Sequence, residues 1–128
     1  MKRKTRSVIG VLLLALASAS AQAGTPEQGR LKGSLRLEGR SVEVDGTFDA
    51  HRATLHFAEP FACRVPADRV AATNGEHRYR FGTSANGGRF CDRLRGEGLS
   101  LTGEEPNLFL RVESPAGVWS GPVYLVDH

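Results

Sequence analysis

The chain has 128 residues, with 17 Lys and Arg against 14 Asp and Glu, and two cysteines. Four of the basic residues and none of the acidic ones fall in residues 1–23, which leaves 13 against 14 in residues 24–128, a net of −1. The basic balance of the whole chain therefore belongs to its leading segment, and a nucleic-acid partner is excluded.

That leading segment has the order of an export signal. Lys2, Arg3, Lys4 and Arg6 form a positive start, Val8 to Ala17 is an uncharged apolar run, and Ala21-Gln22-Ala23 is a small-x-small cleavage site. Cleavage is predicted after Ala23. The apolar run is about half the ~20 residues that a helix needs to cross a bilayer, so no stable membrane insertion is expected after cleavage. The destination expected is the periplasm or the exterior, with residues 24–128 as a single domain.

Gly24 to Gly29 reads as a short frayed arm. Alternation of apolar and polar residues then takes over, the mark of a half-buried strand. Leu31, Gly33, Leu35 and Leu37 share one face; Gly39-Arg40 turns the chain; Val42 and Val44 follow, with Asp45-Gly46 as a further turn signal. Ala53, Leu55 and Phe57 alternate next, up to Glu59-Pro60. Phe61, Cys63 and Val65 share a face and Pro66 ends that run, since proline lacks the donor a ladder needs. Asn74-Gly75 is the strongest hairpin signal in the chain, and Tyr79 and Phe81 return on one face with Arg78 and Arg80 on the other. Asp92 to Leu94 suits one helical turn. Leu99 and Leu101, then Leu108, Leu110 and Val112, alternate on either side of Glu104-Glu105-Pro106-Asn107. Val118-Trp119 and, after Gly121-Pro122, Val123 to Val126 complete the series. About eight short strands with strong local turns predict an all-β, mostly antiparallel sandwich or barrel. Closure depends on tilt and shear, so the pattern leaves both open.

Two cysteines in an exported chain, far apart and without C-x-x-C spacing, predict a structural disulfide between Cys63 and Cys91. Catalytic signatures are missing: there is no H-E-x-x-H, G-x-S-x-G, P-loop or dinucleotide fingerprint. His51, His56 and His77 lack metal-ligand spacing and are expected on a solvated surface. The Glu104-Glu105 pair sits in a turn, where charge is ordinarily solvated. Neither a metal nor a cofactor is expected, and a hydrolase or metal carrier is the least supported reading.

Charge is unevenly spread. From Arg64 to Arg95 there are seven arginines and three acids; from Glu97 onward there are five acids and one arginine. The candidate binding residues are therefore Arg64, Arg78, Arg80 and Arg89, together with the lone Trp119. Arginine suits bidentate contacts with carboxylate or phosphate, and aromatic side chains anchor interfaces. The competing reading pairs these arginines with acids of the C-terminal third and buries Trp119 in the core. In size and style, with an export signal, a short mature chain, one disulfide and glycine-rich strands, the chain resembles the small exported β-barrel inhibitors that bacteria use against lysozyme. That resemblance implies inhibition of a cell-wall hydrolase through an acidic or polar loop, for which Glu104-Glu105 is the candidate, and transfers no inhibitory residue. The broader expectation is a non-enzymatic binding module that recognises an envelope protein or an anionic glycan.

Overall fold

A computed structural model describes residues 24–126; the predicted export signal lies outside the described residues. The chain forms one closed antiparallel barrel of eight strands. In order these are β1 (Gly29–Leu37), β2 (Arg40–Phe48), β3 (Arg52–Phe57), β4 (Cys63–Ala72), β5 (Glu76–Phe81), β6 (Gly98–Glu104), β7 (Asn107–Ser114) and β8 (Gly117–Leu125), with a four-residue helix α1 (Arg89–Asp92) between β5 and β6. Each strand pairs with the next, and β8 pairs back onto β1. The all-β expectation holds, and the barrel rather than the sandwich is the form it takes.

The period-two pattern accounts for the interior. Leu31 and Leu35, Val42 and Val44, Leu55 and Phe57, Val65 and Ala67, Tyr79 and Phe81, Leu99 and Leu101, Leu108 and Leu110 all point inward and are buried. These residues come from every strand up to β7, and Trp119 and Val123 add β8. The inward apolar residues of all eight strands share one interior, and the pairing of β8 with β1 closes the ladder, which removes edges altogether. An eight-stranded barrel is just wide enough for side chains to fill. The void among Leu31, Phe48, Leu55, Tyr79 and Leu101 amounts to about 10 Å³, near the least that holds one water. The interior is a core and holds no ligand chamber.

Four local expectations are corrected. Asp45-Gly46 does not turn; β2 runs through it to Phe48, and the turn follows at Asp49, whose Oδ1 accepts hydrogen bonds from the backbone N–H of His51 (2.7 Å) and Arg52 (3.0 Å). Pro66 does not end its strand. It sits inside β4 opposite Thr54, and its carbonyl still accepts from the N–H of Gly82 (2.9 Å) just past the end of β5, so the missing donor falls where the ladder is running out. The arm at Gly24–Gln28 is not frayed: Thr25 is buried, its N–H donates to the Asn74 carbonyl (3.1 Å), and its Oγ1 donates to that of Gly103 (2.7 Å). Gly121-Pro122 likewise lies within β8 rather than breaking it.

The closing seam depends on two glycines. A Cβ on Gly33 would meet the Pro122 carbonyl oxygen at 2.5 Å, and one on Gly121 would overlap the Ser34 carbonyl oxygen. Both obstacles are backbone, which cannot swing aside. Gly121→Ala is therefore expected to destabilise the barrel by about 1–3 kcal/mol, the range for forced overpacking. Equilibrium urea unfolding measures it, and an unchanged midpoint would mean the seam has slack.

Candidate functional site

Alternate connections of an up-and-down barrel emerge at the same end. The turns β1–β2, β3–β4 and β7–β8 and the long β5–β6 connection share one mouth; the N-terminal arm and the other turns share the opposite one. The first mouth carries the site.

Its floor is aromatic. After β3, the chain turns back at Ala58, whose carbonyl accepts from the N–H groups of Phe61 (3.0 Å) and Ala62 (3.1 Å). This lifts Phe61 over the mouth. Helix α1 supplies Phe90, which stacks flat on Phe61 with ring centroids 3.9 Å apart and planes 6° from parallel. Trp119, from β8, meets both rings edge-on at 5.7 and 6.0 Å, and Phe57 meets Phe90 edge-on at 5.0 Å. Stacked and edge-on pairs are the favoured aromatic geometries, each worth roughly 0.5–1.5 kcal/mol beyond burial. Trp119 is only 2% exposed, so the core reading of this residue holds, yet its ring edge also borders the opening.

The disulfide fixes this lid. Cys63 begins β4 and Cys91 lies in α1; they are bonded, both are buried, and their Cα atoms are 6.1 Å apart. A helix of four residues has no stability of its own. The bridge, with Leu94 buried just after it, holds α1 against the barrel.

The rim is basic. Arg89 and Arg93 stand four residues apart, hence on one helical face, on either side of Cys91. Arg40 opens β2 across the mouth, and its guanidinium carbon lies 5.2 Å from the centre of the Trp119 ring. This is a cation–π contact of about 0.5–1 kcal/mol at an exposed site. Together Arg40, Arg89 and Arg93 enclose a cleft of about 480 Å³ with Phe61, Phe90 and Trp119 beneath and Pro60, Ser114, Pro115 and Ala116 beside them. No carboxylate lines it. Among the described residues, ion pairs join Arg52 to Asp68 and Arg69 to Glu27, histidine–carboxylate contacts join His56 to Asp45 and His77 to Glu27, and none engages the three rim arginines. Nearby Asp92 accepts a hydrogen bond from Ser84 Oγ at 2.6 Å. Three uncompensated cations around a partly apolar concavity create a field that attracts anions.

Of the five residues singled out from sequence, the fold brings Arg89 and Trp119 to this cleft. Arg78 and Arg80 point outward from β5 on the barrel wall. Arg80 stands opposite Asp68 on β4, and Arg78 lies in a shallow groove with Glu76, Ser100, Arg111 and Glu113. Arg64 is four residues from Asp68 on β4, about 13 Å along the strand, and does not join them. It lies beyond the end of β5, where its N–H donates to Asn86 Oδ1 (3.1 Å). Arg40, Arg93, Phe61 and Phe90 complete the cleft and were missed. The i, i+4 spacing of Arg89 and Arg93 around a bridged cysteine was a readable signal for Arg93; Arg40 reaches the site only because closure sets β2 and β8 on either side of β1.

The histidines divide. His51 is exposed in the β2–β3 turn, and His56 on β3 lies with Nδ1 3.3 Å from Asp45. His77, expected on the surface, is 1% exposed on the inward face of β5. The alternation that buries Tyr79 and Phe81 buries it too. Its Nδ1 has no hydrogen-bond partner, and its Nε2 lies 3.6 Å from Glu27 of the N-terminal arm. Burial, with Arg69 adding to it and Glu27 opposing, holds its pKa below the usual imidazole value of 6.5. An unfolded chain then binds the proton first as pH drops, so stability is full above about 6.5 and declines as pH falls below it. Thermal melts between pH 7.5 and 5 are expected to show this decline, and His77→Gln to flatten it. An equally steep decline in the variant would assign the effect elsewhere.

Comparison with protein-family models, with curated proteins and with solved structures finds no match.

Proposed function

We propose that the protein is an exported, non-enzymatic binding module that captures an anionic group of an envelope component at the basic mouth of its barrel. The observation that carries this reading is the convergence of Arg40, Arg89 and Arg93, free of acidic partners, over an aromatic floor. A disulfide, and no helix among the described residues long and apolar enough to cross a membrane, are compatible with export. Of the two partners considered, a protein suits the lining better than an anionic glycan. Sugar hydroxyls need acceptors as well as donors, and the cleft's charged side chains are all donors.

The test uses immobilised protein and envelope extract, with and without about 0.5 M salt, where screening shortens to a few ångströms. Capture that is salt-sensitive, lost in Arg40→Glu/Arg93→Glu and kept in Arg78→Glu/Arg80→Glu is the expected result. The reverse pattern would move the binding face to the barrel wall and overturn the reading.

A second reading, inhibition of a cell-wall hydrolase such as a lysozyme, is favoured by one observation. Glu104 and Glu105 are exposed at the tip of the β6–β7 hairpin, on the mouth opposite the arginines, and an acidic tip suits a basic enzyme cleft. A lysozyme turbidity assay with wild type and Glu104→Gln/Glu105→Gln decides it; equal lysis with and without the protein removes it.

A further inference from the structure

The chemistry of the cleft narrows its ligand. Resting on the reading that the basic mouth is the binding face, we propose that the cleft takes a carboxylate joined directly to an apolar or aromatic body, as in an organic acid or the C-terminal residue of a peptide chain.

The polar part of the lining specifies the carboxylate. The side chains that present hydrogen-bonding groups to the cleft are Arg40, Arg89, Arg93, the Trp119 indole and Ser114. Guanidinium and indole groups only donate. Ser114 Oγ gives its proton to the Gly117 carbonyl (2.7 Å) and is the one side-chain acceptor among them. The ligand must therefore supply acceptors and need few of its own donors matched, which describes a deprotonated acid and disfavours a polyol. Arg40 adds geometry. A guanidinium held over an indole ring by a cation–π contact spends none of its N–H groups on it, and their fork matches the two oxygens of a carboxylate.

The apolar part specifies the body. Phe61, Phe90, Pro60, Pro115 and Ala116 line the same space, and Phe61 and Phe90 stay partly exposed despite their stacking. Covering them removes apolar surface from water, a gain that a bare inorganic anion cannot collect. The cleft, at about 480 Å³, is within the range of small-molecule sites, roughly 300–1,000 Å³. It accommodates one side chain with its carboxylate rather than a long polymer.

Trp119, the single tryptophan, borders the cleft and serves as the fluorescence reporter. The probes are N-acetyl-phenylalanine, its amide, 3-phenylpropionate, glucuronate and inorganic phosphate. Saturable binding of N-acetyl-phenylalanine is expected, weakened about tenfold or more in the amide, in keeping with loss of a charge-assisted contact. Arg40→Gln and Arg93→Gln are expected to weaken it by a similar factor, and Arg78→Gln to leave it unchanged. 3-Phenylpropionate binding as well as the acylated amino acid assigns the free acid as sufficient; markedly weaker binding assigns the peptide terminus. Glucuronate or phosphate binding as tightly as the aromatic acids would overturn the apolar requirement, and an amide equal to its acid would overturn the carboxylate. If no carboxylate binds while salt-sensitive envelope capture persists, this inference fails and the binding-module reading stands. If the aromatic acids bind but Arg40→Glu/Arg93→Glu leaves envelope capture intact, the cleft is real and that reading fails.

Discussion

Trp119→Ala is expected to lose about 3–5 kcal/mol of folding stability, the range for deleting a large buried aromatic, and to lose aromatic-acid binding with it. The indole fills the barrel at its mouth, is 2% exposed and carries the edges of both Phe61 and Phe90. Removing it leaves a cavity that the strands of a closed barrel cannot collapse to fill, because each is held on both sides. A domain of this size has roughly 5–15 kcal/mol in all, so the loss is a large fraction of the total. Urea unfolding should show a lower midpoint with little change in slope, the sign of altered stability rather than altered denatured-state compactness. Trp119→Phe separates the two roles. It keeps a ring in the core, so most of the stability should return, while Arg40 loses the wider ring over which its guanidinium lies. Since the reporter is then gone, calorimetry measures binding, and full affinity in Trp119→Phe would show that the indole serves only the core.

Cutting the bridge, by Cys63→Ala/Cys91→Ala or by reductant, is expected to cost about 3–4 kcal/mol in the chain-entropy model for a loop of this length, the cysteines being 28 residues apart. The more telling effect is local. The barrel ladder runs through all eight strands without the bridge, whereas α1, with Arg89, Phe90 and Arg93 on or beside it, is one short turn held by Cys91 and Leu94. The mouth should therefore loosen before the barrel does. In a reductant titration, aromatic-acid binding should disappear while far-ultraviolet circular dichroism still reports the sheet. Binding that persists until the sheet itself melts would mean that packing of Phe90 and Leu94 alone positions the rim.

Much of this fold was legible along the chain. Period-two alternation marks the inward row on nearly every strand because each pleat allows only two directions, and burial selects one. Asn74-Gly75 marks the β4–β5 hairpin, although neither residue takes a positive φ there. Three of the misreadings share one cause. Asp45-Gly46, Pro66 and Gly121-Pro122 look like breaks taken singly, yet each lies within a strand whose neighbours on both sides supply the remaining ladder bonds. His77 was misplaced because its polarity outweighed its parity. It sits two residues before Tyr79 and must share that side of the strand.

The site was less legible, because its members are distant in sequence. Arg40, Phe61, the Arg89-Phe90 pair and Trp119 come from four different stretches, and no spacing rule connects a turn after β1 with the third residue of β8. What the amino-acid sequence determined by itself was the alternating core, the turns, the pairing of the only two cysteines and the surplus of arginine around them. Each follows from local geometry or composition. Tertiary structure alone decided that the ladder closes on itself, which packs the interior solid and leaves the mouth as the concave surface. It also decided which arginines converge. Register sets Arg80 beside Asp68, while the bridge and the closing seam gather Arg40, Arg89 and Arg93 over Trp119 with no acid among them.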